Sequence, residues 1–262
     1  MCNLFGWESP DRLVIERYIK KCALFSKSDV AFSNFRQDYY YTRVLEGNPI
    51  IGEIHLKYIL DKYGIDSILD NLEEFKENDI YGHPTIMEFP EIGKICPYTI
   101  LYISNALDIK KMMGDFSPKR IVEIGGGFGS LCKTLSVYYD FDEYILIDFP
   151  EVLGLCEKYL DHFPKIKDKI TYLPCDKAQS NPEIGDIDLF IAIASLAECN
   201  IDTQMAYVNI MLKSIYGFIT YNVAKQNMEK ISEKATPIFD IKTNHHIDAS
   251  ELMQFSKKEK SI

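Results

Sequence analysis

The sequence predicts an α/β protein in which a doubly wound, mostly parallel sheet stands behind an N-terminal helical cap. Three observations carry this. From Ser117 onward, short apolar runs alternate with amphipathic helical stretches, the pattern of strands joined by crossover helices. The first of those runs, Ile121 to Ile124, opens directly into Gly125-Gly126-Gly127-Phe128-Gly129 and then a helical pattern. Before Ser117 the apolar spacing is mostly helical. The expected division is a cap over 1–116 and a sheet domain over 117–262.

In the cap, Ile51, Ile54 and Tyr58 fall on one helical face. Ile65, Ile68, Leu72 and Phe75 form the next, with Asp66 or Ser67 placed to cap it. A third helix runs from about Tyr98 to Met113, striped by Ile100, Ile103 and Leu107, and stops near Gly114. Tyr81 to Thr85 and Phe89 to Pro97 are loops by their Gly and Pro content. In the sheet domain, strand one is Ile121 to Ile124 and strand two Tyr144 to Ile147, ended by Asp148. Pro150 then opens a helix with Val152, Leu155, Cys156 and Tyr159 on its buried face. Strand three is Ile170 to Leu173, and strand four is Ile187 to Ala194, an apolar run broken only by Asp188. Met205, Val208, Leu212 and Ile215 mark a helix stopped by Gly217, and strand five is Phe218 to Val223. Ile238 to Ile241 and His245 to Ile247 are candidates for the last two strands.

The glycine turn is where chemistry is expected. Glycines let a backbone turn sharply and approach a ligand closely, and the following helix offers free N–H groups and a partial positive charge. The dinucleotide fingerprint G-x-G-x-x-G, counted from Gly125, would place Ser130 at its last position. What stands here instead is Glu123-x-Gly125-x-Gly127-x-Gly129. A pyrophosphate has no use for a nearby carboxylate, whereas an ammonium group does. This acidic-x-Gly-x-Gly-x-Gly pattern resembles the first motif of class I S-adenosylmethionine (SAM) methyltransferases, and it implies a Rossmann-like fold of that type with SAM as cofactor.

Other acids arrive at strand ends, where an open parallel sheet binds ligands. Asp148 lies about 20 residues beyond the glycines, the distance at which an acid meets ribose hydroxyls; the alternative is a helix-capping Asp ahead of Phe149-Pro150. Glu198 follows strand four in Ala194-Ser-Leu-Ala-Glu198. Methyl transfer is an in-line displacement that depends on holding the nucleophile and methyl in line, and an alcohol acceptor also needs a base. Glu198 is the first candidate for that base, with N-terminal charge for the next helix as the alternative. His83, His245 and His246 lie in stretches that could cover the sheet's carboxyl end and are further candidates, with an uninvolved surface or capping histidine as the alternative for each, while His55 reads as a surface residue and His162 as a charge at a helix C-terminus.

Glu123 to Leu131, Tyr144 to Pro150 and Ser195 to Glu198 together resemble the bacterial and viral sugar O-methyltransferases, as do the Gly82-His-Pro84 and Gly93-Lys94 loops. The resemblance covers roughly residues 80 to 225 and implies transfer of a methyl group to a sugar hydroxyl in a surface glycan or its precursor. By the same resemblance, Glu123, Gly125, Gly127 and Gly129 line the methionine end of SAM, Asp148 meets the ribose and Asp176 the adenine. Glu198 would stand at the acceptor, on whose side the cap lies. The cap tyrosines (Tyr39 to Tyr41, Tyr58, Tyr81, Tyr98, Tyr102) either stack on a sugar or are core residues with a polar tip. A small phenol or other alcohol, and N-methylation, stay open.

Composition narrows the setting. A net charge of −10 argues against a general nucleic-acid surface. Seven cysteines without a CxxC pair read as reduced thiols, no Cys–His cluster has zinc spacing, and no clear carboxylate set for a metal stands out, so no metal ligands are assigned and divalent metal dependence stays open. The N-terminus lacks the basic-then-apolar pattern of a leader, and Leu189 to Ala197, the most apolar stretch, is too short to span a bilayer. The expectation is a cytoplasmic enzyme acting on a small-molecule or oligosaccharide acceptor, with a homodimer open. The rival readings are an NAD-type oxidoreductase and a non-catalytic protein of the same fold.

Overall fold

The structure, a computed structural model, describes residues 11–180, 184–196, 199–221, 231, 233–236, 238–245 and 251–258. Helices come first. α1 (Asp11–Lys27) is followed by α2 (Asp29–Phe32), whose start is capped by the Ser28 hydroxyl accepting the Ala31 amide at 3.2 Å. A 3-10 turn at Phe35–Gln37 leads into α3 (Tyr39–Val44), capped by Asp38, whose carboxylate accepts the Tyr40 and Tyr41 amides. α4 (Ile51–Tyr63) ends at Gly64.

The helical face expected over Ile65 to Phe75 is split into α5 (Asp66–Leu69) and α6 (Leu72–Lys76). Asn71, at φ −124° and ψ 13°, breaks it, as a side chain that competes for backbone hydrogen bonds tends to do. Neither Asp66 nor Ser67 caps α5; the Ser67 hydroxyl donates to the Gly64 carbonyl at 2.6 Å. The stretch read as a loop over Phe89 to Pro97 contains most of a small antiparallel hairpin, β1 (Met87–Phe89) and β2 (Gly93–Ile95). Its Phe89, Ile92 and Ile95 are buried in one cluster with residues of α4 and of α7 (Pro97–Met113), which packs along α4.

The large sheet is built from β3 (Arg120–Ile124), β4 (Glu143–Asp148), β5 (Ile170–Pro174), β6 (Ile187–Ile193), β7 (Ser214–Tyr221), β8 (Phe239–His245) and β9 (Glu251–Lys257). Between them run α8 (Ser130–Leu135), α9 (Pro150–Leu160), α10 (Cys175–Gln179) and α11 (Ile201–Met211). The seven strands lie in the order β5-β4-β3-β6-β7-β9-β8. β3 to β7 pair in parallel, and β9 is antiparallel to both its neighbours. This is a Rossmann-like doubly wound, mostly parallel sheet. The central strands are buried on both faces, which is why β3 and β6 are apolar apart from Arg120, Glu123 and Asp188.

One strand expectation is corrected. β7 begins at Ser214 and so takes in Ile215 and Gly217, which helical spacing placed at a helix end. Gly217 is not a helix stop: the Phe255 ring of β9 lies across it, and a Cβ there would overlap that ring. Of the expected strand His245 to Ile247, His245 is the last residue of β8 and the other two lie outside the described residues; the last described strand is Glu251–Lys257, and Leu252, Met253 and Phe255 supply its buried side chains.

The helical region and the sheet share one core. Tyr18, Phe25, Phe35 and Tyr41 of the cap lie in the same apolar cluster as Phe128, Leu131 and Tyr159, and α1 packs along α9. No helix among the described residues is long and apolar enough to cross a membrane.

Candidate functional site

Strand order reverses between β3 and β6, and a cavity of about 410 Å³ opens there, at the carboxyl ends of β3, β4 and β6. Its size falls within the range of small-molecule and cofactor sites. Gly125 (φ +77°) and Gly127 (φ +55°) form part of its floor in a backbone conformation that side chains rarely adopt. A Cβ at Gly125 would run into Ser195, and one at Gly127 would lie 3.3 Å from Leu45 Cδ1. Gly129 sits behind the cavity, at the cap of α8, against Leu160 and Cys156.

The turn is tied to the neighbouring strand. The Gly125 amide donates to the Ile147 carbonyl at 2.8 Å, and the Gly127 amide donates to Asp148 Oδ2 at 3.2 Å. Asp148 Oδ1 accepts the Phe149 amide at 2.7 Å, while Phe149 occupies the capping position of α9 without a side-chain cap bond. Asp148 therefore braces the glycine turn and lines the cavity. Burial raises its pKa to about 7, against the pull of the two amides.

Glu123 stands one layer lower. It is 3 % exposed, accepts the Tyr144 hydroxyl at 2.8 Å, and is not part of the cavity lining. Burial pushes its pKa up to about 7; the Tyr144 bond lowers it and the charge of Asp148 raises it. Asp176, in the first turn of α10, is exposed and accepts the Lys177 amide at 2.9 Å; its neighbour Cys175 is the residue that lines the cavity.

The opposite wall comes from the end of β6. Ala194 adopts φ +52°, a strained conformation of the kind that collects at functional sites. The Ser195 hydroxyl donates to the Ile124 carbonyl, joining the ends of β6 and β3. Glu198 lies outside the described residues, as does His246. His245 ends β8, paired with Glu251, and its side chain lies outside the described residues. His83 is exposed at φ +56°, 2.9 Å from Asn34 Oδ1 through Nδ1, and does not line the cavity. His55, expected at the surface, is buried, with Nδ1 2.6 Å from the Ser104 hydroxyl. His162 stacks on Phe32 at 5.5 Å.

The roof is the part that sequence reasoning missed. α1 contributes Val14, Ile15 and Tyr18, and the end of α3 contributes Arg43, Val44 and Leu45. An apolar stripe on a helix looks the same whether it covers a core or a ligand, so only the placement of Leu45 over Gly127 identifies it. None of the cap tyrosines singled out from the sequence lines the cavity; Tyr41 and Tyr102 pack their rings on Phe128 instead.

Phe128, inside the glycine turn, is gripped by the cap and by α9. The Arg36 guanidinium lies 5.0 Å from its ring centroid, and Phe35 and Tyr159 meet it edge-on at 5.5 and 4.8 Å. Arg36 is itself buried, donating through Nε to both Glu46 oxygens at 3.0 Å and through Nη1 to the Asn78 carbonyl at 2.8 Å. Among the described residues, no group of three or more His, Cys, Asp or Glu is placed to hold a metal ion.

No family model matches the chain. No curated protein sequence matches it either. Solved structures resemble it in fold. The methyltransferase domain of bacterial CtHen1 is 12 % identical over 59 % of this chain and 97 % of its own, with a TM-score of 0.49. NodS, an N-methyltransferase from Bradyrhizobium japonicum WM9 solved with S-adenosylhomocysteine, is 12 % identical over 59 % of this chain and 86 % of its own, with a TM-score of 0.47. M. capricolum TrmK, also solved with S-adenosylhomocysteine, is 16 % identical over 59 % of this chain and 68 % of its own, with a TM-score of 0.44. At these identities the likeness is one of fold.

Proposed function

We propose that the protein is a SAM-dependent O-methyltransferase whose acceptor is a sugar hydroxyl. The observation that carries the cofactor assignment is the cavity floored by Gly125 and Gly127, with Asp148 bound to the Gly127 amide at its edge. The fit is specific in three respects. The floor has no side chain where the backbone must approach a ligand, Asp148 keeps acceptor capacity for ribose hydroxyls, and Phe149 and Cys175 give an apolar slot for a flat base. When bound, SAM supplies an activated methyl group on its sulfonium.

The protein's share of the work is orientation, exclusion of water and proton removal. Apolar side chains of α1 and α3 line the cap side of the cavity, where they would shield a reacting centre from bulk water. Glu198, which follows β6, is the proposed base for the acceptor hydroxyl, with His83, His245 and His246 as further candidates. The hydroxyl and sugar assignments are supported by the motif resemblance of residues 80 to 225. Glu123 is proposed to act on the methionine end from beneath the turn, and Asp176 at the adenine from the cavity's edge.

Calorimetric titration with S-adenosylhomocysteine, with NAD as the comparison, tests the cofactor. Micromolar binding of the former alone is expected; binding of NAD alone would sink the reading, and binding of neither would leave a structural turn. Release of S-adenosylhomocysteine in the presence of nucleotide sugars and glycan fragments then tests the acceptor class. Glu198→Gln should slow that release while leaving cofactor affinity intact.

A further inference from the structure

We propose that Arg43, supplied by the cap, is the carboxylate-binding residue of the cavity, and that it takes the carboxylate at the methionine end of the cofactor. This rests on the cofactor reading above. Of the lining residues, Arg43 is the one with a permanent positive charge. Two other arginines already have carboxylate partners: Arg36 with Glu46 at 2.7 Å and Arg120 with Glu143 at 2.7 Å. Arg43 is exposed, and among the described residues no hydrogen bond or ion pair engages its guanidinium.

Its place in the fold supports the same conclusion. Arg43 stands two residues before Leu45, whose side chain lies over Gly127, so α3 presents its end directly to the glycine turn. The adenosine half of a ligand is provided for at the ends of β4 and β5 by Asp148, Phe149 and Cys175. What remains is the region between Gly125, Ser195 and the cap, and there the amino-acid end must find its counter-charges. A carboxylate offers two oxygens in a plane, and the planar guanidinium fork matches them with two parallel N–H bonds. The assignment also gives the cap a chemical reason to contribute to the site, because without α3 the floor has no cation to offer.

The test is titration of wild type, Arg43→Gln and Arg43→Lys with two ligands. S-adenosylhomocysteine carries the amino-acid end; 5′-methylthioadenosine has the same adenosine and thioether but neither carboxylate nor ammonium. Arg43→Gln is expected to weaken S-adenosylhomocysteine about 10- to 100-fold, the size of a lost charge-assisted hydrogen bond, and Arg43→Lys to weaken it less. The affinity for 5′-methylthioadenosine should be the same in all three proteins. Equal losses for both ligands would overturn the assignment, because Arg43 would then shape the cavity without reading the carboxylate. Unchanged S-adenosylhomocysteine affinity in Arg43→Gln would also overturn it and would move the guanidinium to an anionic group on the acceptor. Wild-type protein that binds neither ligand would remove the cofactor reading, and this assignment with it.

Discussion

The Gly127 amide donates to Asp148 Oδ2 at 3.2 Å, so the turn after β3 is braced by the residue that ends β4. One carboxylate thus performs two tasks, fixing the backbone that must approach a ligand and presenting its free lone pairs to the cavity. Asp148→Ala removes both and should weaken S-adenosylhomocysteine by at least about tenfold, the loss expected for a charge-assisted bond. Asp148→Asn retains an oxygen for the amide and should fall between. Calorimetric titration separates the three proteins, and equal affinities would show that the ribose is held elsewhere.

Gly127 is constrained twice over. At φ +55° any side chain is strained, and a Cβ would lie 3.3 Å from Leu45 Cδ1. Gly127→Val should therefore abolish measurable S-adenosylhomocysteine binding, since the added atoms project from the cavity floor toward its roof. Combining Gly127→Ala with Leu45→Ala relieves the packing but not the backbone strain, so the pair should recover only part of the affinity lost by Gly127→Ala alone. Full recovery would show that crowding, and not conformation, selects glycine here.

How far the sequence could be read follows from the range of the information. β3, the glycine turn and Asp148 were legible because strand, turn and acid are adjacent or lie one crossover apart. Gly217 was misread because the Met205, Val208, Leu212, Ile215 spacing continues in helical register past the end of α11, while the residue that requires glycine, Phe255, arrives from β9 at the end of the chain. Arg36 could not be identified as a buried residue, since Glu46, Asn78 and Cys96, its partners, are distributed along the chain and meet only in the fold. Leu45 and Arg43 had no local signature at all: their importance is a matter of what lies opposite them.

The Arg36–Glu46 pair gives a prediction about stability. Both side chains are almost fully buried, so removing one leaves the other charge without compensation. Arg36→Met should destabilise the fold by about 3–5 kcal/mol in urea denaturation, whereas Arg36→Met with Glu46→Met should recover much of that loss. An Arg36→Met protein as stable as wild type would mean that Glu46 takes up a proton at little cost.

The last prediction concerns pH. Glu123 has a folded-state pKa raised to about 7 from the ordinary 4.5, burial being the main cause. The folded protein therefore binds a proton more tightly than the unfolded chain, and the sign follows from linkage. This group's contribution is fully present below pH 4.5, declines as pH rises through the window from 4.5 to about 7, and is constant above it. A shift of this size corresponds to about 3 kcal/mol across the window, or several degrees in melting temperature. Other carboxyls shift the opposite way, Asp29 and Asp140 being held low by Lys158 and Lys169, so the raw pH profile is a composite. The informative quantity is the difference between wild type and Glu123→Gln, which keeps an acceptor for the Tyr144 hydroxyl but has no proton to bind. Thermal melts between pH 4.5 and 8 should show wild type losing stability relative to Glu123→Gln as pH rises, with the change centred on the acid-to-neutral window. Parallel profiles would place the proton on another group, with Asp148, raised to about 7 by its own burial, the next to replace.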